Sequence, residues 1–567
     1  MATSSARRIW LQAAPIQTAT VVIIHPGSLN LRLGRASDTY PVTIPHCIAR
    51  RTTYQKTEPW INRPECQHSD VKALQKYGLK QSEEAVASRP TSTGEYRQPT
   101  SQKLIYSYNN NARGQVTDVI CPQKWSDTKQ TPFLIGEKAL HIKPSDKFRI
   151  HWPMRRGHLN LHDGPVGTLT AVMEDLETLW SAAIQTYLDI PIKDLKIYKV
   201  LLLVPDVFVH NHVKHMTDIL LNKLGFGAAI VIQESVCATF GAGVGSACVV
   251  DRRPKKLQWN MVGVMSLDVS IGCFRGHGFN PQEIDLNKVT DCNIMQEMKE
   301  SYCHLDQDKT GIQDHSLLIR KPQQHIVKYP VKLGDEAIIA PMSLFHPELL
   351  GIIGPQLVRT QGRCTGDPED PHDEFYLQMT SREAKLSKKK DTTESKDNSE
   401  LNVMDDSQHQ TQMDDDSNDA PDTLNVTDTV KSGRRGEEEE TEVDTETVLQ
   451  LMGIDQAILK SIERCGNDEI KKKMYSCIVV VGGGLKFEGA QQWLQYKVWV
   501  GMPPQYRLML ETMDVITRPK DMDPTFTCWK GAAVLACLDT AQELWIRQKE
   551  WKQFSVRMLR ERAPFTW

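Results

Sequence analysis

The sequence predicts an α/β fold in which several strands pair in parallel. The main observation is a regular alternation of apolar runs of strand length with helical patterns, at 200–205, 211–224, 228–233 and from Glu234 onwards. A later β-branched run at 478–481 is followed by glycines and then by a helix-like segment that opens at Glu488. Strands that alternate with helices are typical of parallel sheets covered by helices, so we expect this architecture over most of the chain.

Periodicity indicates the remaining elements. An amphipathic helix is predicted at 169–188, and its apolar face carries Leu176, Leu179, Trp180 and Ala183. A second apolar helical face is predicted after residue 447, formed by Val448, Leu451, Met452, Ile458, Leu459 and Ile462. The last segment, 529–567, is predicted to be largely helical, with Trp545 and Trp551 in the core or, as the alternative, in a groove for a partner.

Length and composition limit the possible functions. The 567 residues can form several core-bearing units, and 40 % hydrophobic with 25 % charged residues is ordinary for a soluble globular protein. A net charge of −3 argues against a uniformly basic nucleic-acid binder, so any DNA contact must come from a local patch. No CxxC pair is present among 13 cysteines, and no apolar run nears the roughly 20 residues that span a bilayer. We therefore expect an intracellular protein without a membrane segment.

Two polar segments interrupt the pattern. Residues 52–130 are predicted to form a surface excursion that is partly ordered at most. Residues 377–446 are rich in Asp, Glu, Ser, Thr and Lys, and they cannot bury enough apolar area to become ordered. This disordered acidic insertion is either a contact for basic partners such as histones or a solvated spacer. The predicted organisation is thus a polar arm at 1–19 and one fold formed by 20–376 and 447–567.

A β-hairpin is predicted at 20–35, where two apolar runs flank a Pro-Gly-Ser turn. The backbone at Gly27 and the hydroxyl group of Ser28 could wrap a phosphate, and Arg32 on the returning strand could reach the same anion. The alternative is a plain hairpin with a solvated arginine.

Gly482, Gly483 and Gly484 follow the buried run at 478–481. Glycine allows positive φ and a close approach of another molecule, and the helix N-terminus that follows presents free N–H groups to an anionic or nucleotide ligand. The alternative is a tight strand-to-helix turn without a ligand.

In their order along the chain, several motifs resemble those of the actin family. The segment 529–536, Trp-Lys-Gly-Ala-Ala-Val-Leu-Ala, and the later pairs Trp545-Ile546 and Glu550-Trp551 are similar to the carboxy-terminal segment of actins. A second similar segment carries Gly334-Asp335-Glu336, Ala340-Pro341, Leu344-Phe345, Pro347 and Leu350-Gly351. A third leads into the three glycines and carries Gly453-Ile454, Ser461-Ile462, Cys465, Ile470 and Tyr475. Runs at 25–28, 303–308, 366–373 and 518–524 resemble a nuclear branch of the actin-related proteins.

The resemblance implies an actin-like two-lobed ATPase fold of duplicated ribonuclease-H-like lobes, with ATP or ADP and Mg²⁺ in the cleft between them. It implies nucleotide contacts from a first phosphate hairpin of Gly27, Ser28 and Arg32, an adenosine site with Lys299 and Glu300, and a closing loop of Gly482, Gly483, Gly484 and Phe487. It places Gln233 where actins orient the attacking water and Asp251 where a carboxylate serves the metal through water.

Two departures from the family pattern argue against turnover. His25 stands where actins carry an Asp near the metal, and an imidazole cannot replace a carboxylate around a hard cation. After Asp251 the family expects a second phosphate hairpin, but the chain continues Arg-Arg-Pro-Lys-Lys-Leu-Gln-Trp-Asn-Met. One hypothesis is that residues 252–279 arise from a shifted reading frame or a mis-spliced exon.

The function implied by the resemblance is that of a structural, non-enzymatic subunit in the nucleus. It would belong to an Ino-eighty-type chromatin-remodelling complex, with roles in transcription regulation and DNA repair. Its expected partners are a remodelling ATPase, actin, other actin-related proteins, histones and nucleosomal DNA. The alternative is an ATP-hydrolysing, filament-forming actin homologue, which His25 and the lost second hairpin disfavour. A sugar kinase on the same scaffold would need a substrate-site Asp base, for which no motif is found.

Overall fold

The first strand, β1 (Val21–Pro26), has all six residues buried and lies inside a six-stranded sheet in the computed structural model. The structure describes residues 18–52, 69–96, 102–251, 297–350 and 452–565, apart from the single positions 130, 144, 156, 163, 165 and 321. The disordered acidic insertion predicted at 377–446 and the arm predicted at 1–19 lie outside these residues, apart from Thr18 and Ala19.

The strands after β1 are short, mostly two to seven residues. They are β2 (Asn30–Arg35), β3 (Val42–Pro45), β4 (Ile48–Arg51), β5 (Gln115–Ile120), β6 (Phe133–Ile135), β7 (Phe148–His151), β8 (Met154–Arg155), β9 (His158–Leu159), β10 (Lys199–Val204), β11 (Ala228–Gln233), β12 (Cys248–Asp251), β13 (Gln313–Ile319), β14 (His325–Leu333), β15 (Cys477–Val481), β16 (Asp514–Ile516) and β17 (Ile546–Arg547).

The α-helices precede, separate or follow these strands. They are α1 (Ser69–Ala87), α2 (Gln102–Asn111), α3 (Glu137–Leu140), α4 (Leu169–Tyr187), α5 (His210–Asp218), α6 (Glu234–Ala242), α7 (Glu336–Met342), α8 (Ile454–Glu463), α9 (Asp468–Ser476), α10 (Ala490–Gly501), α11 (Pro504–Met509), α12 (Thr527–Ala536), α13 (Gln548–Phe554) and α14 (Arg557–Arg562). A π-helical turn, Ile219–Lys223, continues α5, and residues 297–302 are also helical.

Two of the sheets each contain three neighbouring parallel strands. The larger has the order β17-β11-β10-β1-β2-β3, in which β1, β10 and β11 are parallel, and we call it with its helices the first lobe. The smaller has the order β12-β15-β16, also parallel throughout, and we call it with its helices the second lobe. The repeated parallel triplet confirms the predicted α/β class and agrees with duplicated lobes.

Alternating residues of β15 connect the two hydrophobic cores. Ile478 and Val480 belong to the cluster beneath α8 and α10, whereas Val479 and Val481 belong to the cluster that holds α6 and α12. This alternation is what the pleat of a strand requires when both faces are buried. The strand before the three glycines is therefore fixed from both sides.

Helices α6 and α12 approach each other at backbone contact. A Cβ atom at Gly531 would lie 1.7 Å from the carbonyl oxygen of Cys237, and one at Gly241 would lie 2.1 Å from that of Thr527. Only glycine permits this spacing, because any side chain would occupy the partner backbone's position.

The described part of the insertion between β4 and β6 contains the helices α1 and α2 and the strand β5. Its helix α1 places Val86 in the hydrophobic core of the second lobe, and its strand β5 pairs antiparallel with β14. Gly78 packs so closely on the turn Pro347–Leu350 that a Cβ atom would stand 2.6 Å from the backbone nitrogen of Leu349. The prediction of a surface excursion thus missed α1, which contacts the second lobe, and α2 and β5, which contact β14.

Most predicted elements are confirmed. The helix predicted at 169–188 is α4, whose N-cap Thr168 accepts a hydrogen bond from Ala171 N–H at 3.3 Å, and all four predicted core residues on it are buried. Trp545 and Trp551 are buried as expected. The prediction was wrong at Met452, which is 37 % exposed because α8 begins only at Ile454. Val448 and Leu451 lie outside the described residues. Across the described ranges, each helix is too short or too polar to cross a membrane.

Candidate functional site

The predicted phosphate hairpin is formed by β1 and β2, with His25 opposite Arg32 in the register. At its tip, Gly27 N–H donates to the carbonyl oxygen of Asn30 at 3.0 Å, and a Cβ atom at Gly27 would lie 2.6 Å from that oxygen. The Ser28 hydroxyl group accepts a hydrogen bond from Gly157 N–H at 2.9 Å, so its own proton remains available for an anion. The tip is therefore a tightly held turn with donors near its surface.

Arg32 is largely buried between carboxylates of both lobes. Burial lowers the pKa of its guanidinium group, whereas the Cys528 thiolate form and three carboxylates, Glu234, Asp523 and Asp251, act in the opposite direction. Its Nε atom is buried without a hydrogen-bond partner in the part of the chain that the structure describes. A buried cation with an unused donor suits an anionic ligand.

His25 is engaged with a carboxylate of its own lobe. Its Nε2 atom lies 3.4 Å from Oε1 of Glu234, and both side chains are buried. At the position where the resemblance to actins predicts an Asp near a metal, this chain therefore has an imidazole ring beside a carboxylate.

Gln233 and Asp251 both stand at the carboxyl ends of parallel strands. The Gln233 amide group, at the end of β11, donates to the carbonyl oxygen of Asp206 at 3.2 Å. Asp206 in turn accepts hydrogen bonds from the N–H and hydroxyl groups of Ser235 at the start of α6. Asp251 ends β12 opposite Val481 of β15, and it is exposed. Carboxyl ends of parallel strands are where α/β folds bind ligands.

The three glycines follow β15 next to an acidic loop. Gly482 has a φ of 80°, and its N–H group donates to the carbonyl oxygen of Pro524 at 3.0 Å. Asp523 receives hydrogen bonds from Lys486 Nζ at 2.6 Å and from Thr525. Burial alone would raise the pKa of Asp523, but these donors outweigh it and hold that pKa below its usual value. The positive φ explains a glycine at the first position of this loop.

The predicted adenosine residues lie on the second-lobe side. Lys299 is 2 % exposed within the helical stretch 297–302, while Glu300 is exposed. A bridge between His304 and Glu488 places this stretch near Phe487, which packs on the second-lobe core. The structure thus brings Lys299 and Phe487 to one side, whereas Gly27, Ser28 and Gln233 lie on the first lobe.

The arrangement fits a nucleotide better than it fits a metal. The hairpin tip, the unused Arg32 donor and the Gly482 loop supply backbone and cationic groups for phosphates. Within the described ranges, no group of three or more His, Cys, Asp or Glu side chains could hold a metal ion by itself. Asp251 could serve Mg²⁺ only through water and phosphate oxygens, which is a usual mode for this ion.

Sequence reasoning missed two acidic groups and one histidine. Glu234 was seen only as a helix start and Asp523 only as part of a family run, although both lie close enough to Arg32 to raise its pKa against the effect of burial. His46 was not singled out, yet it is fully buried behind the hairpin tip. No local pattern distinguishes such residues, because their partners are distant in the sequence.

A sequence model of actin matches residues 16–252 and 280–564. The chain belongs to the actin family. Human actin-related protein 8 is 44 % identical over 589 residues, covering 97 % of this chain and 93 % of the relative, and the bovine protein of that name has the same values. The actin-related protein 8 of the mosquito Aedes aegypti is 35 % identical over 97 % of this chain and 98 % of the relative.

A solved structure confirms the fold. Human actin-related protein 8 in its ATP-bound state matches with a TM-score of 0.77 and 38 % identity, over 97 % of this chain and 98 % of that chain. The predicted actin-like fold and the resemblance read from the motifs are thus confirmed. The match to the actin family omits residues 253–279, where the sequence departs from the family pattern. These residues lie outside the described ranges, and the reading-frame hypothesis stays a prediction.

Proposed function

We propose that this chain is a non-motor actin-related subunit of an Ino-eighty-type chromatin-remodelling complex in the nucleus. The observation that carries the proposal is the similarity to human actin-related protein 8 over 97 % of the chain, in both sequence and structure. Similarity that covers the insertions as well as the actin fold favours the same kind of assembly over a general actin function.

The nucleotide part of the proposal rests on the hairpin tip, Arg32 and the glycine loop after β15. We propose that ATP or ADP binds between the Gly27–Ser28 tip, Arg32 and the Gly482–Gly484 loop, as a ligand that stabilises the two lobes. Two observations support this: the solved relative is described as ATP-bound, and the buried Nε atom of Arg32 has no hydrogen-bond partner among the described residues. Mg²⁺, if bound, would be held by Asp251 through water, and it would neutralise phosphate charge.

The third part of the proposal is that bound ATP is hydrolysed slowly or not at all. The Gln233 amide group donates one N–H to the Asp206 carbonyl oxygen, and its second N–H and its oxygen stay available to a water, so the expectation of slow hydrolysis rests on the metal shell. His25, paired with Glu234, supplies no carboxylate for a metal. The nucleotide is therefore proposed to be structural.

The nucleotide proposal is tested by titration of ATP and ADP into the purified full chain, with Mg²⁺ and with EDTA. The informative variant is Arg32→Met, and its matched control is Arg35→Met on the same strand, because Arg35 donates instead to the Leu188 carbonyl oxygen at 2.6 Å. We expect weaker ATP binding for Arg32→Met only, and no phosphate release over hours. Equal affinity of the two variants would refute the site.

The assembly proposal is tested by mild affinity purification of the tagged chain from nuclear extract, followed by mass spectrometry. We expect a remodelling ATPase, actin and another actin-related protein, and then histones or nucleosomal DNA at low salt. Recovery with cytoskeletal proteins alone would contradict the proposal and favour the filament-forming alternative. The roles in transcription regulation and DNA repair follow from the complex and would fall with it.

A further inference from the structure

Behind the tip of the phosphate hairpin, two buried side chains form a hydrogen-bonded chain that ends on the Gly27 backbone. The Nδ1 atom of His46 lies 2.6 Å from the carbonyl oxygen of Gly27, and Trp180 Nε1 lies 3.3 Å from His46 Nε2. His46 is 0 % exposed and Trp180 is 1 % exposed. The backbone N–H group of His46 also donates to the Leu29 carbonyl oxygen at 2.8 Å.

The partners determine which ring nitrogen of His46 carries the proton. A carbonyl oxygen can only accept, so Nδ1 must donate to Gly27. An indole N–H group can only donate, so Nε2 must accept from Trp180. Trp180, on α4, therefore holds the His46 ring in the Nδ1–H form, and a second proton on Nε2 would oppose the indole N–H group.

The bond to Gly27 fixes a peptide plane at the tip. In a trans peptide the C=O and N–H groups point in opposite directions. Because the Gly27 carbonyl group points inward to His46, the Ser28 N–H group of the same peptide points away from the core. Glycine allows a wider range of ψ than other residues, so the bond from His46 adds to the turn's own hydrogen bonds in holding this plane with the donor outward.

We propose that His46, oriented by Trp180, is a positioning residue that holds the Gly27–Ser28 peptide with its N–H group toward the nucleotide phosphates. The inference rests on the proposed nucleotide function and deepens it, since it assigns the device that orients the phosphate donor. The flipped peptide would present a carbonyl oxygen to the phosphate and repel it. His46 does not touch the ligand, so its effect is on affinity through the backbone.

Three variants and one control test the proposal by isothermal titration of ATP into the full chain. His46→Leu removes the donor and should weaken ATP binding by about 10- to 100-fold, the range for one hydrogen bond to a charged group. His46→Asn retains a donor near the Nδ1 position and should restore most of the affinity. Trp180→Phe removes the orienting indole group and should weaken binding less than His46→Leu does. Trp493→Phe is the matched control, because Trp493 is also fully buried but lies in the second-lobe core.

The melting temperature of each variant shows whether the fold is intact. Tight ATP binding by a folded His46→Leu protein would overturn the inference and leave the nucleotide proposal in place. An equal loss of affinity in Trp493→Phe would also overturn it, because the effect would then follow from any damaged core. Absence of ATP binding by the unchanged chain would overturn the proposed nucleotide function, and this inference with it.

Discussion

The side chain of Asn109 pairs with both backbone groups of Lys332, 223 residues away. Its amide N–H group donates to the Lys332 carbonyl oxygen at 2.9 Å, and Lys332 N–H donates to Asn109 Oδ1 at 2.8 Å. Asn109 is fully buried, and it continues the ladder between β5 and β14 by which the insertion contacts strands outside the first lobe. The insertion is therefore held by specific polar contacts as well as by the Val86 side chain.

Replacement of Asn109 by Ala should loosen this attachment. Both Lys332 groups would lose their partner, at a cost of about 1–3 kcal/mol. We expect faster hydrogen exchange of the β5 amides, measured by mass spectrometry on peptides that cover 115–120. Asn111→Ala is the control, since the Asn111 amide group bonds only the Ser107 carbonyl oxygen of its own helix. Unchanged exchange in Asn109→Ala would show that strand pairing alone holds β5.

Arg89 makes a second attachment, after the end of α1. Its guanidinium carbon lies 4.7 Å from the centre of the Trp493 ring and 4.6 Å from that of Tyr496. Burial lowers the pKa of Arg89, and Tyr496 opposes that shift. Cation–π contacts of partly desolvated groups contribute about 0.5–2 kcal/mol, so Arg89→Ala should lower the unfolding midpoint.

The Arg89 contact is separated from general effects by a double-mutant cycle with Tyr496→Leu. We expect a coupling of at least about 0.5 kcal/mol between the two positions. Lys80→Ala is the control on the same insertion, because the Lys80–Glu84 pair is exposed and contributes little. If the losses of unfolding free energy in Arg89→Ala and Tyr496→Leu simply add in the double variant, the contact between Arg89 and Tyr496 does not stabilise the fold.

The sequence was informative wherever a segment is buried on both faces. The runs that became β10, β11 and β15 are continuous and apolar, so their type could be predicted, and a proline after β10 and a glycine after β15 mark where those two end. Helix α1 could not be predicted, because its composition is polar and its stability comes from contacts with the second lobe. The importance of His46 could not be predicted either, because its partner Trp180 lies 134 residues later in the sequence.

The contact between Gly531 and Cys237 predicts a severe effect of a small change. Alanine would raise helix propensity at Gly531 by about 1 kcal/mol, but its Cβ atom would overlap the Cys237 carbonyl oxygen at 1.7 Å. Separation of α6 from α12 should cost at least about 3 kcal/mol and lower the yield of folded protein. Gly245→Ala is the control, because a Cβ atom there meets no atom within 4 Å. A thermal shift of Gly531→Ala as small as that of Gly245→Ala would contradict the close packing.

His346 should contribute to the acid sensitivity of the fold. Burial, and then the charge of Lys497, lowers the pKa of His346 from 6.5 to about 4. The folded state therefore keeps the ring neutral, while the unfolded chain binds the proton first as the pH falls below 6.5. The stability that depends on neutral His346 is fully present above pH 6.5, is lost between pH 6.5 and about 4, and changes no further below that.

Comparison with a His346→Asn variant isolates the pH-dependent part of the stability that comes from His346. The difference in melting temperature between the two proteins should move in favour of the variant as the pH is lowered from 7 to 4.5, because asparagine takes up no proton. Lys497→Met should reduce the same slope, since it removes the second cause of the low pKa. The control is His141→Asn, because His141 directly follows α3 and its ring bonds the carbonyl oxygen of Glu137, the first residue of that helix. Parallel pH profiles of the unchanged chain and His346→Asn would mean that the ring gains a proton as readily in the folded state as in the unfolded one, and that Lys497 does not oppose it.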